Sequence, residues 1–188
     1  MRLPGVLSRL DLPLPELQAA RLDGEVFALD ECFCPIDEVE QQRHRAASLA
    51  LLLPKRLIAE QHSAAWVYGA VPFAPQRHEI CADTTARQRP TSLARFAVRE
   101  VVIDATDIVE LAGLRVTTPL RTVLDLARFS AQFTDDEIRI VGELLALSHF
   151  DFARCIGVLA ARRNLPGKHR ALGRLRRAAE GAQPPVTR

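Results

Sequence analysis

The stretch from Thr118 to Ala127 constrains the fold of this chain more than any other. Thr118 and Pro119 make a good helix start, because a threonine hydroxyl can accept a backbone N–H at the N-cap and a proline at the first helical position loses nothing by lacking an amide proton. Apolar residues then recur at the spacing of one helix face, namely Leu120, Val123, Leu124 and Ala127. Such a stripe must face a core, so the stretch predicts a packed helix inside a larger globular domain.

Length and composition support a globular chain. Its 188 residues are 48% hydrophobic with a formal net charge of +2, which argues against disorder over most of the length. The longest apolar run, from Ala46 to Leu53, includes Ser48 and is far shorter than the roughly 20 residues of a membrane span. The first ten residues carry no signal-peptide pattern. We therefore expect a cytoplasmic protein that does not associate with membranes.

Four cysteines, Cys32, Cys34, Cys81 and Cys155, are too few and too unevenly placed for a disulfide framework. The one close pair, Cys32-Phe33-Cys34, lacks the spacing and the second ligand pair of a structural zinc site. We expect free, buried or half-buried thiols and no metal. The sequence also lacks a Gly-rich phosphate loop, an HExxH motif and a nuclease-like D…E-x-K constellation, so we expect no cofactor and no catalytic residues.

Hydrophobic periodicity predicts an α+β fold with four parts. Residues 1–40 read as an abbreviated winged-helix-like unit, 41–130 as an α/β domain, 131–180 as a basic helical subdomain and 181–188 as a flexible tail. In the first unit, a helix over 14–22 precedes strands over 25–29 and 32–35, and only about ten residues come before it, which is too few for a full helix-turn-helix.

The α/β domain is predicted to begin with a helix from Asp37 to Leu53. Segments near Leu57, Ile80, Val98 and Val116 should form a small antiparallel or mixed sheet, with one strand reaching from Phe96 to Ile103 and a polar loop over Thr84–Pro90. Later helices are predicted from the Thr134 capping box to Ser148, from Asp151 or Phe152 to Arg163, and from Lys168 to Glu180.

Charge is distributed unevenly along the chain. Residues 1–60 contain 7 basic and 10 acidic side chains, whereas residues 121–188 contain 12 and 7. The segment from Phe152 to Ala179 holds no acidic residue, and it supplies our candidate DNA-binding residues: Arg162, Arg163, Lys168, Arg170, Arg174, Arg176 and Arg177. A block of this kind can hold phosphate, but it can also be a solvated helix face that offsets the acidic N-terminal third.

Two short segments carry polar residues of interest. Arg121 and Asp125 are spaced for an ion pair on one helix side, and the alternative is that Arg121 contacts a phosphate or another ligand. His62 and Ser63 are adjacent, which favours a satisfied histidine and an N-cap serine over a base and nucleophile. We expect Trp66 and Tyr68 to be packing residues between domains.

Both segments resemble a known family. The run from Leu57 to Gly69, which contains His62, Ser63 and Trp66, resembles the strand-to-helix segment of AbiEi-type antitoxins of type IV toxin–antitoxin systems and their actinobacterial relatives. The run from Gly113 to Ala127 resembles that group's "GL-x-VT-x-P-x-RT-x-x-DLA" signature. The matched motif residues are His62, Ser63, Trp66, Thr118, Pro119, Arg121, Thr122 and Asp125.

The resemblance implies an N-terminal winged helix that binds operator DNA and an α/β domain that contributes to repression and to neutralising a nucleotidyltransferase-like toxin. The N-terminal unit here is short and acidic, without a basic recognition helix. Many relatives continue past a basic stretch matched by Arg174–Ala178 into a very-short-patch-repair-like endonuclease. Because this chain stops at Arg188, we expect it to lack that nuclease.

Three function classes stay open on the sequence. The first is an antitoxin-like transcriptional regulator that binds DNA and a toxin, and the second is a protein-interaction module without DNA binding. The third is an enzyme with a site built from scattered Arg, His and Asp residues.

Overall fold

The protein is a mixed α+β structure in the computed structural model, which describes residues 4–84 and 94–182. Its elements are, in chain order, α1 (Leu14–Leu22), β1 (Val26–Leu29), β2 (Cys32–Pro35), α2 (Gln42–Ala50), β3 (Ile58–Ala59), α3 (Gln61–Tyr68), β4 (His78–Asp83), β5 (Phe96–Val101), β6 (Ile108–Leu111), β7 (Leu114–Thr117), α4 (Pro119–Phe129), α5 (Asp135–Ser148), α6 (Phe152–Ala161) and α7 (Lys168–Ala182). The α+β class predicted from periodicity is confirmed.

The N-terminal unit is one helix packed on a hairpin. Strands β1 and β2 pair antiparallel, and Leu7 adds an isolated antiparallel bridge to Phe33 on the other side of β2. Leu17 of α1 is fully buried in a small apolar cluster with Leu7, Val26 and Phe33. The predicted helix and hairpin are confirmed, and the winged-helix character of the unit stays a prediction.

A five-stranded mixed sheet forms the centre of the molecule, in the order β5-β4-β3-β7-β6. Strand β3 is parallel to β7 and antiparallel to β4. Four of the strands match the predicted segments, although β5 ends at Val101 and not at Ile103. Strand β6 was missed, because its short half-buried sequence resembles a loop. It pairs with β7 through a tight turn in which Ala112 and Gly113 both have positive φ.

Helix α2 is shorter than predicted, since it covers Gln42–Ala50 and not Asp37 to Leu53. The start is fixed by a reciprocal cap in which Gln41 and His44 each bind the other's backbone N–H. Glu40 lies before the helix and pairs with Arg45. The local cap therefore determines where α2 begins, and the acidic residues before Gln41 lie outside the helix.

Helix α4 is the central helix, and it packs against α3, α5, α6 and α7. Val123, Leu124 and Ala127 of the predicted stripe are buried, so the expectation of a packed helix is confirmed. Helices α5, α6 and α7 all pack against α4, but α6 ends at Ala161 and not at Arg163.

Helix α7 continues to Ala182, so Gly181 is helical and does not begin a tail as predicted. Residues 183–188 of the predicted tail lie outside the described residues, as does the predicted polar loop beyond Thr84. Within the part of the chain that the structure describes, no single helix is long and apolar enough to cross a membrane. One pair, Asp135–Ser148 with Phe152–Ala161, passes that test together by length and composition but is bent by 96°.

Candidate functional site

The start of α4 is built as the sequence predicts. The Thr118 hydroxyl accepts the Arg121 backbone N–H at 3.3 Å, and Pro119 occupies the first helical turn. The hydroxyls of Thr117 and Thr122 lie 2.8 Å apart in a buried contact that joins the end of β7 to α4. These hydrogen bonds fix the direction in which the helix leaves the sheet.

Asp125 is the most heavily contacted carboxylate of the α4 motif. Its side chain is completely buried, and it accepts hydrogen bonds from Arg121 Nε at 2.8 Å, Arg99 Nη2 at 3.0 Å and Arg128 Nη1 at 2.9 Å. The predicted ion pair between Arg121 and Asp125 is therefore present, but it is buried. Arg99 is an addition that the sequence did not indicate.

The network extends beyond Asp125 in two directions. Arg121 Nη1 donates to Asp107 Oδ2 at 2.8 Å, and Arg162 reaches the same oxygen at 3.4 Å. On the other side, Arg99 makes a bidentate contact to Glu60 at 2.5 and 2.6 Å. We call this set the arginine–carboxylate cluster; its members are Glu60, Arg99, Asp107, Arg121, Asp125, Arg128 and Arg162.

The cluster contains four guanidiniums and three carboxylates, and the side chain of Phe129 lies beside it. Arg99 and Arg128 stand 4.1 and 4.4 Å from the Phe129 ring centroid. Burial lowers the pKa of Arg128, and although Asp125 opposes this, Arg121 and Arg99 add to the lowering. Every carboxylate of the cluster is bound by at least one guanidinium. The cluster connects the end of β3, strand β5 and helices α4 and α6.

The second motif is organised differently from our prediction. Helix α3 begins at Gln61, which has a positive φ of 48°, so Ser63 is inside the first turn and the prediction that it caps the helix is wrong. The Ser63 hydroxyl accepts the Glu79 backbone N–H at 2.9 Å and lies 3.0 Å from His78 Nδ1. The neighbouring strand β4 therefore determines the position of this side chain.

His78 continues this chain of contacts, since its Nε2 lies 3.0 Å from Asp30 Oδ2. We call Asp30, Ser63 and His78 the serine–histidine–aspartate bridge. The order of groups matches a nucleophile, base and acid, but Ser63 and His78 are completely buried and the hydroxyl is already occupied by Glu79. A substrate carbonyl could not reach it, so the bridge does not support nucleophilic catalysis.

The serine–histidine–aspartate bridge attaches the N-terminal hairpin to the sheet. Asp30 occupies the β1–β2 turn with a positive φ of 53°, and it also accepts from Arg95 Nη2 at 2.5 Å. Burial raises the pKa of Asp30, but the hydrogen bond from His78 and the charges of His78 and Arg95 outweigh it and leave that pKa below its ordinary value. Sequence reasoning missed this bridge because its members are distant in the chain and no local spacing relates them.

His62 is the half-buried member of the second motif. Its Nδ1 lies 2.8 Å from Glu79 Oε2, and its Nε2 lies 3.9 Å from Glu137 Oε1 in the first turn of α5. The hydrogen bond to Glu79 raises the pKa of His62; burial opposes this, and the charges of Glu79 and Glu137 add to the rise. The prediction of a histidine with satisfied partners is confirmed.

The aromatic residues of α3 pack inside the core. Trp66 is buried against His78, with a ring-centroid distance of 5.8 Å. Tyr68 donates its hydroxyl to the Thr117 carbonyl at 2.8 Å, and burial raises the pKa of Tyr68. Through this contact α3 is connected to the same strand end that leads into α4.

The seven candidate DNA-binding cations fall into two groups. Four of them contact the protein itself, namely Arg162, Lys168, Arg170 and Arg174. Arg174 is only 8% exposed and donates to the carbonyls of Ala127 and Ser130 at 3.1 and 2.9 Å, while Arg170 donates to the Arg128 carbonyl. These bonds satisfy orphan carbonyls at the C-terminus of α4.

The other three, Arg163, Arg176 and Arg177, are exposed. No ion pair or hydrogen bond of their guanidiniums is found within residues 4–84 and 94–182. Lys168, by contrast, donates its ammonium to the carbonyls of Ala160 and Arg162 at 2.8 and 2.6 Å. The assignment of the block to DNA binding stays a prediction, and these three residues are the ones free to make intermolecular contacts.

All four cysteines are buried free thiols, as predicted. Burial raises the pKa of Cys32 to about 12 and that of Cys34 and Cys155 to about 11, so little reactive thiolate exists at neutral pH. Among the described residues, no group of three or more His, Cys, Asp or Glu side chains is placed to hold a metal ion.

The protein is thus a mixed α+β structure in which a largely buried arginine–carboxylate cluster connects the sheet to the helices. Residues 57–139 match the family model described as the AbiEi antitoxin C-terminal domain. This match confirms the resemblance to AbiEi-type antitoxins predicted from the two motifs. The chain is also similar to the crystal structure of the RV2827C protein from Mycobacterium tuberculosis, with 16% sequence identity, a TM-score of 0.46, and coverage of 98% of this chain and 78% of that one. No curated protein matches the chain.

Proposed function

We propose that this protein is an antitoxin-like transcriptional regulator that neutralises a nucleotidyltransferase-type toxin and binds operator DNA. The observation that carries the proposal is the AbiEi antitoxin match over residues 57–139. That segment contains both polar clusters except for Asp30 and Arg162. A non-enzymatic role agrees with the burial of the serine–histidine–aspartate bridge and with the ion pairing of every carboxylate in the arginine–carboxylate cluster.

Neutralisation is tested by co-expression. If a nucleotidyltransferase-like protein is encoded beside this gene, we expect it to arrest growth when expressed alone and to permit growth when this protein is present. The Asp136→Ala variant, changed at an exposed α5 position, serves as the control and should neutralise as the wild type does. Continued growth arrest in the presence of folded, abundant protein contradicts the antitoxin proposal.

The DNA-binding part of the proposal places the larger share of affinity on the C-terminal helices. Helix α1 offers one acidic and one basic side chain, Glu16 and Arg21, and the first 60 residues are acidic overall. The exposed cations Arg163, Arg176 and Arg177 belong instead to α7 and the turn before it. A promoter–reporter fusion checks this, because repression should fall when these three residues are neutralised together.

The second candidate function is a protein-interaction module without DNA binding. It is favoured by the four candidate cations that contact the protein itself, since these guanidinium and ammonium groups have roles in folding. The two functions separate cleanly in the reporter experiment, because the interaction module neutralises the toxin while the promoter stays fully active.

A further inference from the structure

The exposed residues of α7 and of the turn before it include several basic side chains. We call the following group of them the α7 face: Arg163, His169, Arg170, Gly173, Arg176 and Arg177. We infer that the α7 face binds the phosphate backbone of duplex DNA without reading bases, and so supplies affinity but no operator preference. This inference rests on the DNA-binding part of the proposed function.

The charged residues of the α7 face and the buried residues of α7 lie on different sides of the helix. Ala171, Leu175 and Ala178 are buried and point toward the rest of the helical subdomain. Arg170 and Arg177 are seven residues apart, and His169 and Arg176 are also seven apart, so each pair lies on the same side of the helix. All four are exposed, and the cations are therefore gathered on the side that faces solvent.

Three guanidiniums of the α7 face are free to meet phosphate. Arg163, Arg176 and Arg177 have no partner among the residues that the structure describes, whereas Arg170 already donates to the Arg128 carbonyl. Each additional phosphate neutralised by a free cation contributes about −0.9 to the slope of log affinity against log salt. The three residues together predict a contribution of about −2.7 to that slope.

The chemistry of α7 favours contacts to phosphate. Reading adenine or cytosine in the groove uses Asn, Gln, Asp or Glu side chains, and α7 contains none of these except Glu180 near its end. Arginine can also read guanine, so duplexes of shuffled sequence are needed to separate the two kinds of contact. On α6, the exposed positions Ala153, Gly157 and Ala160 are small, so they leave the guanidiniums of α7 as the protruding groups. Phosphate contacts of this kind position a protein without specifying sequence.

The test measures binding of the full chain to short fluorescent duplexes of equal length, one from the promoter of its own gene and several with shuffled sequence. The triple variant Arg163→Gln, Arg176→Gln, Arg177→Gln should flatten the salt slope by between two and three units and weaken binding to every duplex by the same factor, at least tenfold at low salt. The matched control replaces Lys55, Arg56 and Arg139, which are exposed on other parts of the chain, by Gln. It makes the same charge change and should reduce the slope by less than one unit.

Two outcomes overturn the inference. In the first, the wild type prefers its promoter and the triple variant loses that preference, which means that the α7 face reads bases. In the second, the control flattens the slope as much as the triple variant does, which means that only net charge matters. Equal unfolding midpoints of all three proteins in urea exclude misfolding as the cause.

Failure of the proposed function gives a different result. If the wild type binds all duplexes equally and the triple variant loses that binding, the α7 face is a phosphate surface but the protein is not an operator-specific regulator. If promoter preference persists in the triple variant while affinity falls uniformly, both the inference and the regulator function are supported.

Discussion

The arginines of α4 and the arginines of α7 contact different groups in the folded protein. Arg121 and Arg128 bind carboxylates inside the arginine–carboxylate cluster, whereas Arg170 and Arg174 bind backbone carbonyls at the end of α4. Arg176 and Arg177 face solvent. A run of basic residues can therefore contain structural and free cations side by side, and only the partner of each guanidinium separates the two roles.

The comparison is tested most strongly at Asp125. Replacing it with Ala removes the acceptor shared by Arg99, Arg121 and Arg128 and leaves three neighbouring guanidiniums in a buried site. We expect Asp125→Ala to lower the free energy of unfolding by about 5 kcal/mol, the upper range for breaking a buried ion network. Urea unfolding followed by circular dichroism measures this change.

The matched control for Asp125 is Asp136→Ala on α5. Asp136 pairs with Arg139 at 3.8 Å and is 84% exposed, so its removal should leave the unfolding midpoint nearly unchanged. If the two variants unfold at the same urea concentration, the arginine–carboxylate cluster does not stabilise the fold.

Arg121→Ala should have the next largest effect. Asp125 keeps Arg99 and Arg128, and Asp107 keeps Arg162, so less charge is left unpaired than in Asp125→Ala. We expect a loss of about 3 kcal/mol, which corresponds to a fall in Tm on the order of 10 °C for a chain of this size. Thermal unfolding checks it.

Binding assays on the Arg121→Ala variant decide between scaffold and ligand contact. If Arg121 only stabilises the fold, binding of DNA or toxin falls in proportion to the folded fraction. Unchanged melting together with abolished binding would make Arg121 a ligand contact, which is the alternative that the sequence left open.

Arg174→Ala and Arg177→Ala compare two arginines on one helix, three residues apart. Losing the Arg174 guanidinium leaves the carbonyls of Ala127 and Ser130 without a donor, and we expect this to cost about 1–2 kcal/mol. Arg177→Ala should leave stability unchanged and weaken DNA binding. Arg174→Ala should weaken DNA binding only as far as it lowers the folded fraction. Parallel urea and salt titrations measure both, and the opposite pattern would reverse the roles.

Local sequence signals predicted the elements that depend on local chemistry. The Thr118 cap, the Pro119 start and the spacing of Val123 and Leu124 all act within one helix, and the structure has them as expected. The Thr134 capping box likewise opens α5 at the predicted place. Where the stabilising contacts are between neighbours in sequence, periodicity and capping rules were sufficient.

Long-range pairing explains what the sequence could not predict. Ser63 has the residue type of a helix cap, but His78 and Glu79 on β4 bind its hydroxyl. Arg99 was assigned only to a strand, and its role depends on Glu60 and Asp125 from other elements. In each case the deciding partner is separated by at least 15 residues, and no spacing rule connects them.

The smallest expected effect on stability is at His62, which contacts both the sheet and α5. His62 bridges Glu79 of β4 and Glu137 of α5, and Glu137 also caps α5 by accepting the Thr134 backbone N–H at 2.9 Å. Because its pKa is raised in the folded state, the stabilisation from protonated His62 is complete below its ordinary value near 6.5 and is lost as pH rises through the raised folded-state pKa. Stability of the wild type should therefore fall as pH increases from about 6 to about 8.

The His62→Asn variant should show a flatter dependence over that interval, because asparagine can still donate to Glu79 but carries no titrating charge. Its stability should be lower than that of the wild type at the acidic end, and the two curves should approach each other at the alkaline end. Lowering the pH further toward 3 should destabilise both proteins, since the depressed pKa of Asp30 makes its contribution disappear only in acid. If wild type and His62→Asn keep a constant difference in unfolding free energy across the neutral interval, the contact of His62 with Glu79 and Glu137 is a packing contact and its charge does not help to hold α5.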